Sequence, residues 1–204
     1  GRLSEAVDSY KKAIKSTEFY PMAYSNLLTT LNYSQGKDLK ESIDIAREFG
    51  LQVTRSVKKP FSNYEPDRSN KKLRVGFVSG DLRSHPVGYF LESILPLFKR
   101  LDIDIIAYPT KPRFDDLSVK LKPYFSNWKP IYGLDDESAA DQVRKDGVQI
   151  LIDLSGHTAG NRLLMFGYKP APVQITWLGY FATTGVKEMD YLIGDPFMTP
   201  EELD

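Results

Sequence analysis

The sequence predicts an α/β protein, a parallel sheet with helices on both faces, led by a short run of helices. Two changes of pattern carry this expectation. Over residues 1–50 apolar side chains recur three and four apart, the spacing of one helical face. From residue 73 onward, short apolar runs rich in Val, Ile and Leu alternate with amphipathic stretches. That alternation is the mark of strand–helix–strand crossovers.

The first helix is predicted from Leu3, Ala6, Val7, Tyr10, Ala13 and Ile14. A second follows on Ala23, Tyr24, Leu27, Leu28 and Leu31, with Pro21 suited to a first helical turn. A third should start at Asp38, whose carboxylate can cap free N–H groups with Glu41 three residues on, and stop at Gly50. Residues 51–72 hold Pro60, Pro66 and several charges without periodicity and are expected to be a linker. Beyond them strands are predicted at 73–79, 103–108, 149–154 and 173–178, with one more beginning at Tyr191. Helices are predicted at 87–100, 115–125, 136–145 and 161–168.

Composition narrows the class of function. The 204 residues carry 27 basic and 27 acidic side chains, so no electrostatic footprint for nucleic acid is expected. No run of 18 apolar residues and no signal-peptide pattern is present, so neither a membrane partner nor secretion is expected. The absence of cysteine excludes disulfides and thiolate metal sites and fits a reducing, cytoplasmic compartment.

In open parallel sheets ligands bind beyond the carboxyl ends of the strands, where loops meet helix N-termini. Three loops occupy such places: 79–86, 155–160 and 179–185. His85 precedes Pro86 at a helix start, where an imidazole is suited to act as base toward an alcohol or, equally, to cap the helix. His157, between Gly156 and Gly160 and followed by Thr158, could face phosphate or sugar hydroxyls, or the glycines could serve only a strand-to-helix turn. A dinucleotide fingerprint, a Walker loop and a G-x-S-x-G elbow are all missing. Asp81 and Asp153 are explained as strand-end and turn residues, and no metal site is expected.

The stretch from Gly1 to Ile14, followed by Pro21 and Ala23–Leu27, resembles the second helix of one tetratricopeptide repeat running into the first helix of the next. Three further blocks resemble the O-GlcNAc transferase/Spindly family: Leu73–Asp81 continuing to Ser84-His85-Pro86, Ile150–Leu163, and Lys169–Tyr180 followed by Thr183-Thr184-Gly185 and Met189–Asp195. The resemblance covers nearly the whole chain. It implies a Rossmann-like sheet forming the N-terminal half of a GT-B glycosyltransferase, with domains at 1–50 (repeat helices), 51–72 (linker) and 73–204 (an incomplete N-terminal catalytic half). It also implies an inverting, metal-free transfer of a sugar, N-acetylglucosamine from UDP-GlcNAc, to Ser or Thr of an acceptor polypeptide that meets the repeats and the cleft. The nucleotide-sugar would lie mostly against a C-terminal half beyond Asp204, so the chain alone is expected to be inactive.

By the same resemblance His85 matches the family's active-site histidine, and His157 and Thr158 are expected at the cleft. Thr183, Thr184 and Gly185 match a loop near the donor–acceptor junction, where Phe181 departs from the family's proline. The competing expectations are a Spindly-type O-fucosyltransferase and a repeat-led binding module without catalysis. An epimerase-type nucleotide-sugar enzyme is more distant, since it would lack the repeats.

Overall fold

The computed structural model describes residues 2–16, 18–34, 38–64 and 72–197. Three helices come first: α1 (Leu3–Ser16), α2 (Pro21–Asn32) and α3 (Leu39–Ser56). Pro21 opens α2 as expected, where its missing N–H costs nothing. Asp38 caps α3 by accepting from the Lys40 N–H at 2.9 Å. Glu41 does not complete a capping box and instead pairs with Lys11 of α1.

Helix α3 does not stop at Gly50; it continues to Ser56, so the expected linker begins inside the helix. The connector is then pinned to the sheet region by Phe61 N–H donating to the Tyr168 carbonyl and the Tyr64 hydroxyl donating to that of Lys169. Arg144 lies over both rings, 5.2 Å from the Phe61 centroid and 4.9 Å from that of Tyr64. The expected linker residues 65–71 lie outside the described residues, as do 198–204 of the catalytic half.

The sheet is built from β1 (Leu73–Ser79), β2 (Ile103–Pro109), β3 (Asn127–Trp128), β4 (Ile150–Asp153), β5 (Val173–Trp177) and β6 (Tyr191–Ile193). All pairings are parallel, in the order β3-β2-β1-β4-β5-β6. Strand β3 was not predicted: two residues on a sheet edge are too short to show a period. The order reverses direction between β1 and β4, which makes the carboxyl ends of those two strands the topological switch point.

Helices cover both faces. On one, α4 (Pro86–Phe98) and α5 (Asp116–Leu121) lay Val87, Leu91, Leu95, Leu117 and Leu121 against Phe77 and Ala107. On the other, α6 (Asp136–Lys145) and α7 (Leu163–Gly167) place Ala140, Val143, Met165 and Phe166 against Tyr108 and Leu151. Strand residues therefore alternate between two apolar layers, which explains why β1 and β2 read as continuous apolar runs rather than alternating ones. Helix α5 is shorter than expected because Pro123 lies in a 3-10 turn, Lys122–Tyr124. A third apolar cluster joins Tyr24, Phe49 and Val53 of the leading helices to Leu163 and Val186 of the sheet region.

Candidate functional site

The loop after β1 is held tightly at the switch point. Ser79 Oγ accepts from the Asp81 N–H at 2.9 Å, turning the Asp81 carboxylate inward, where the residue is 5% exposed. Three cationic or ionisable groups surround that carboxylate: Arg83 donates to it at 2.9 Å, Lys111 Nζ stands at 3.7 Å and His85 Nε2 at 3.9 Å. Lys111 reaches Asp81 from the loop after β2 by lying across two glycines. A Cβ on Gly80 would come 2.9 Å from its Cδ, and one on Gly160 would come 2.2 Å from its Cε.

His85 is the N-cap of α4, its Nδ1 accepting from the Val87 N–H at 3.3 Å, and about a third of its side chain is open to solvent. An Nδ1 that accepts carries no proton, so a neutral His85 holds its proton on Nε2. The capping role and the ligand-facing role left open by the sequence are thus both available, on different nitrogens.

The loop after β4 is ordered by Asp153. Its carboxylate accepts from the N–H groups of Ser155 (3.1 Å) and Gly156 (2.7 Å) and from the Thr176 hydroxyl (3.0 Å). Burial pushes its carboxyl up to about 6, against the lowering pull of those three donors. Gly156 takes φ +50, and a Cβ there would sit 2.3 Å from Cβ of Tyr180, so this glycine serves the turn. Thr158 is half-buried and bonds back to the Ser155 carbonyl at 2.7 Å. The Thr110 hydroxyl donates to the Gly160 carbonyl at 2.6 Å, which ties the β2 and β4 loops together.

His157, expected at the cleft, borders it between α2 and the β4–α7 loop, but its imidazole is turned into the protein. It is 1% exposed, and both ring nitrogens are engaged within the protein: Nε2 lies 3.0 Å from the Thr184 carbonyl and Nδ1 3.0 Å from the Ser25 hydroxyl of α2. A carbonyl only accepts, so Nε2 carries the proton and Nδ1 accepts from Ser25. Phe49 and Tyr180 meet the ring edge-on, with centroids 4.9 and 5.4 Å away. Burial holds the imidazole down at about 4, against the raising effect of its bond to Thr184, so it is neutral at ordinary pH.

The structure divides the remaining predicted residues. Thr184 is buried, its carbonyl taken by His157 and its hydroxyl accepting from the Val186 N–H at 3.3 Å. Gly185, at φ +71, packs against α3, while Thr183 is exposed. Thr183 is thus the exposed member of the set, while His85 and Thr158 are half-buried. A cleft of about 570 Å³ opens between α2 and the β4–α7 loop, lined among others by Met22, Asn26, Thr158, Gly160 and Asn161.

Lys111 and Arg83 were not anticipated. Lys111 follows β2 as Asp81 follows β1, so the carboxyl-edge rule that singled out three loops applied to this fourth one as well. Ser25 gave no signal, since its partner is 132 residues away. Leu178, with φ 72, is a non-glycine residue in left-handed backbone just after β5, a strain of the kind that gathers at functional sites.

Comparison with known proteins agrees with this arrangement. The model of Glycosyl transferase family 41 matches residues 30–204. A probable UDP-N-acetylglucosamine–peptide N-acetylglucosaminyltransferase SPINDLY of Oryza sativa subsp. japonica is 33% identical over 201 residues, covering 96% of this chain and 22% of that protein. A similarly described protein of Arabidopsis thaliana, SEC, is 29% identical over 131 residues, 64% of this chain and 13% of its own length. The solved structure of a Thermobaculum terrenum O-GlcNAc transferase mutant superposes with a TM-score of 0.86 at 36% identity, over 96% of this chain and 38% of that one. The chain spans about a fifth of the length of the SPINDLY relatives it matches. Matched by that family's model over residues 30–204, the chain belongs to glycosyl transferase family 41.

Proposed function

We propose that the protein containing this chain is an inverting O-glycosyltransferase that moves N-acetylglucosamine from UDP-N-acetylglucosamine to Ser or Thr hydroxyls of acceptor polypeptides. This chain contributes the acceptor-side, Rossmann-like half of a GT-B cleft and the end of the repeat array that guides the acceptor. The observation that carries the reading is the placement of His85, at the start of α4 and beside the β1/β4 switch point, in a chain matched to this family.

In the transfer the acceptor oxygen attacks the anomeric carbon from the face opposite the leaving nucleotide. The bond to the diphosphate breaks, and the hydroxyl proton passes to a base. For His85 to take that proton at Nε2, the neutral ring must first hold its own proton on Nδ1, which gives up the 3.3 Å bond from Val87. The cap and the base are therefore competing states of one ring.

The test uses the full-length protein with UDP-N-acetylglucosamine and, separately, GDP-fucose, following nucleotide release and acceptor modification. His85→Ala removes both functions, whereas His85→Asn keeps a good N-cap and removes Nε2. Both variants are expected to lose transfer by about a hundredfold or more, the scale of lost general-base catalysis. Full activity in His85→Asn would leave His85 only its capping role. Release with GDP-fucose alone would move the donor to the fucose reading, and release with neither donor would favour a non-catalytic binding module.

A further inference from the structure

We propose that His157 is a positioning residue that holds the Thr183–Gly185 loop in register with helix α2, so that the repeat helices and the junction loop move as one piece. The relay is a single file of hydrogen bonds. Asn161 Nδ2 donates to Ser25 Oγ at 3.3 Å, Ser25 Oγ donates to His157 Nδ1 at 3.0 Å, and His157 Nε2 donates to the Thr184 carbonyl at 3.0 Å. Every direction in the file is fixed, because the carbonyl at one end and the amide N–H at the other allow one arrangement of protons.

Neighbouring contacts brace both ends. The Thr29 hydroxyl donates to the His157 carbonyl at 3.0 Å, and Asn32 Nδ2 donates to the Tyr180 hydroxyl at 3.1 Å. Tyr180 and Phe49 close on the imidazole from the β5–β6 loop and from α3, keeping water from a ring that is 1% exposed. In such surroundings, each broken bond leaves a buried polar atom without a partner, which makes the relay stiff rather than adaptable. An imidazole suits this place because it has one donor and one acceptor on opposite sides of a rigid ring, spanning two segments that belong to different parts of the fold.

The coupling itself does not depend on which reaction the protein performs. Its consequence for transfer rests on the glycosyltransferase reading, in which the junction loop meets the substrates and the repeats meet the acceptor. The experiment separates the two by reading structure and turnover independently. Hydrogen exchange is measured on full-length wild type, Ser25→Ala, His157→Phe and His157→Gln. Ser25→Ala is the decisive variant: it is mild, and among the described residues the hydrogen bonds of Ser25 reach Thr184 only through His157.

The expected result is exchange about tenfold faster at residues 183–186 in both Ser25→Ala and His157→Phe, the scale of one lost buried hydrogen bond. Exchange in α4 and α5 should stay unchanged, and His157→Gln, which retains a donor and an acceptor, should recover part of the protection. Faster exchange confined to α2 in Ser25→Ala would overturn the coupling, even if His157→Phe fails to fold. In the transfer assay, KM for a polypeptide acceptor should rise with little change in KM for the donor. Absence of transfer in the wild type would overturn the glycosyltransferase reading while leaving the exchange result to stand or fall by itself.

Discussion

Gly50 and Gly185 meet backbone to backbone where α3 crosses the loop after β5. A Cβ on Gly50 would lie 1.8 Å from the Gly185 carbonyl oxygen, and one on Gly185 would lie 1.9 Å from that of Ala46. Neither obstacle is a flexible side chain, so a methyl group at either place must push the helix off the loop. Gly50→Ala is expected to destabilise the junction on the order of 3 kcal/mol, despite alanine's better helix propensity. Gly185→Ala should cost about 1 kcal/mol more, since its φ of +71 is unfavourable for any side chain. Chemical unfolding of the full-length variants, monitored by hydrogen exchange at the helix–loop junction, checks both values. A neutral Gly50→Ala would mean that α3 and the loop are not in contact.

The same residue shows where sequence reading reached and where it stopped. The alternation of strands and helices, the covered faces and the Pro21 and Asp38 helix starts were legible because they depend on residues within one turn or one strand. Gly50 was read as a helix stop because glycine commonly ends helices, yet its reason for being there is Gly185, 135 positions on by subtraction of their numbers. The loop around His157 allowed either a ligand contact or a strand-to-helix turn, and the resemblance put His157 at the cleft. Gly156 serves the turn and makes room for Tyr180, and the imidazole is engaged by Ser25. Glycine and histidine report local permissiveness and chemistry; which partner uses them is settled by tertiary packing.

Asp81 is surrounded by more positive charge than it can neutralise, so its removal should be costly. Asp81→Asn keeps an acceptor for Arg83 but leaves Arg83 and Lys111 facing one another in a largely buried setting. A loss of about 2 kcal/mol is expected, below the roughly 3–5 kcal/mol for breaking a fully buried pair because Lys111 is partly open to solvent. Adding Lys111→Met should return part of that loss by removing one of the two stranded cations. Thermal unfolding of the single and double variants tests this, and a double variant no more stable than Asp81→Asn would contradict the repulsion.

His157 also sets a pH dependence whose sign follows from its burial. Its folded-state value of about 4 lies below the ordinary 6.5, so the unfolded chain binds the proton more readily. The stability it contributes is complete above pH 6.5 and is lost progressively as the pH falls from 6.5 to about 4. The full difference is on the order of 3 kcal/mol at about 1.4 kcal/mol per unit. Asp153 acts oppositely: its carboxyl is raised to about 6, so its contribution is complete below 3.8 and is lost as pH rises through 6. The two overlap between pH 4 and 6 and flatten the profile. His157→Phe should therefore replace a nearly flat wild-type profile between pH 4 and 6 with one in which stability declines as pH rises from 3.8 to about 6. Unfolding midpoints for wild type and variant at pH 4.5, 5.5, 6.5 and 7.5, chosen as about one unit apart, read the difference directly.

Lys111 and Gly160 provide a test of the loop packing at the switch point. Gly160→Ala carries two separate penalties, a side chain at φ +84 and a Cβ 2.2 Å from Cε of Lys111. The dihedral part, about 1 kcal/mol, belongs to Gly160 alone. The steric part belongs to the pair, because Lys111 must leave its place beside Asp81 to admit the methyl group. In a double-mutant cycle, Gly160→Ala should cost about 2 kcal/mol with Lys111 present and about 1 kcal/mol in a Lys111→Ala background. The resulting coupling of about 1 kcal/mol would place the lysine across the glycine in solution, whereas additive effects would place the lysine elsewhere and leave Asp81 with Arg83 and His85 alone.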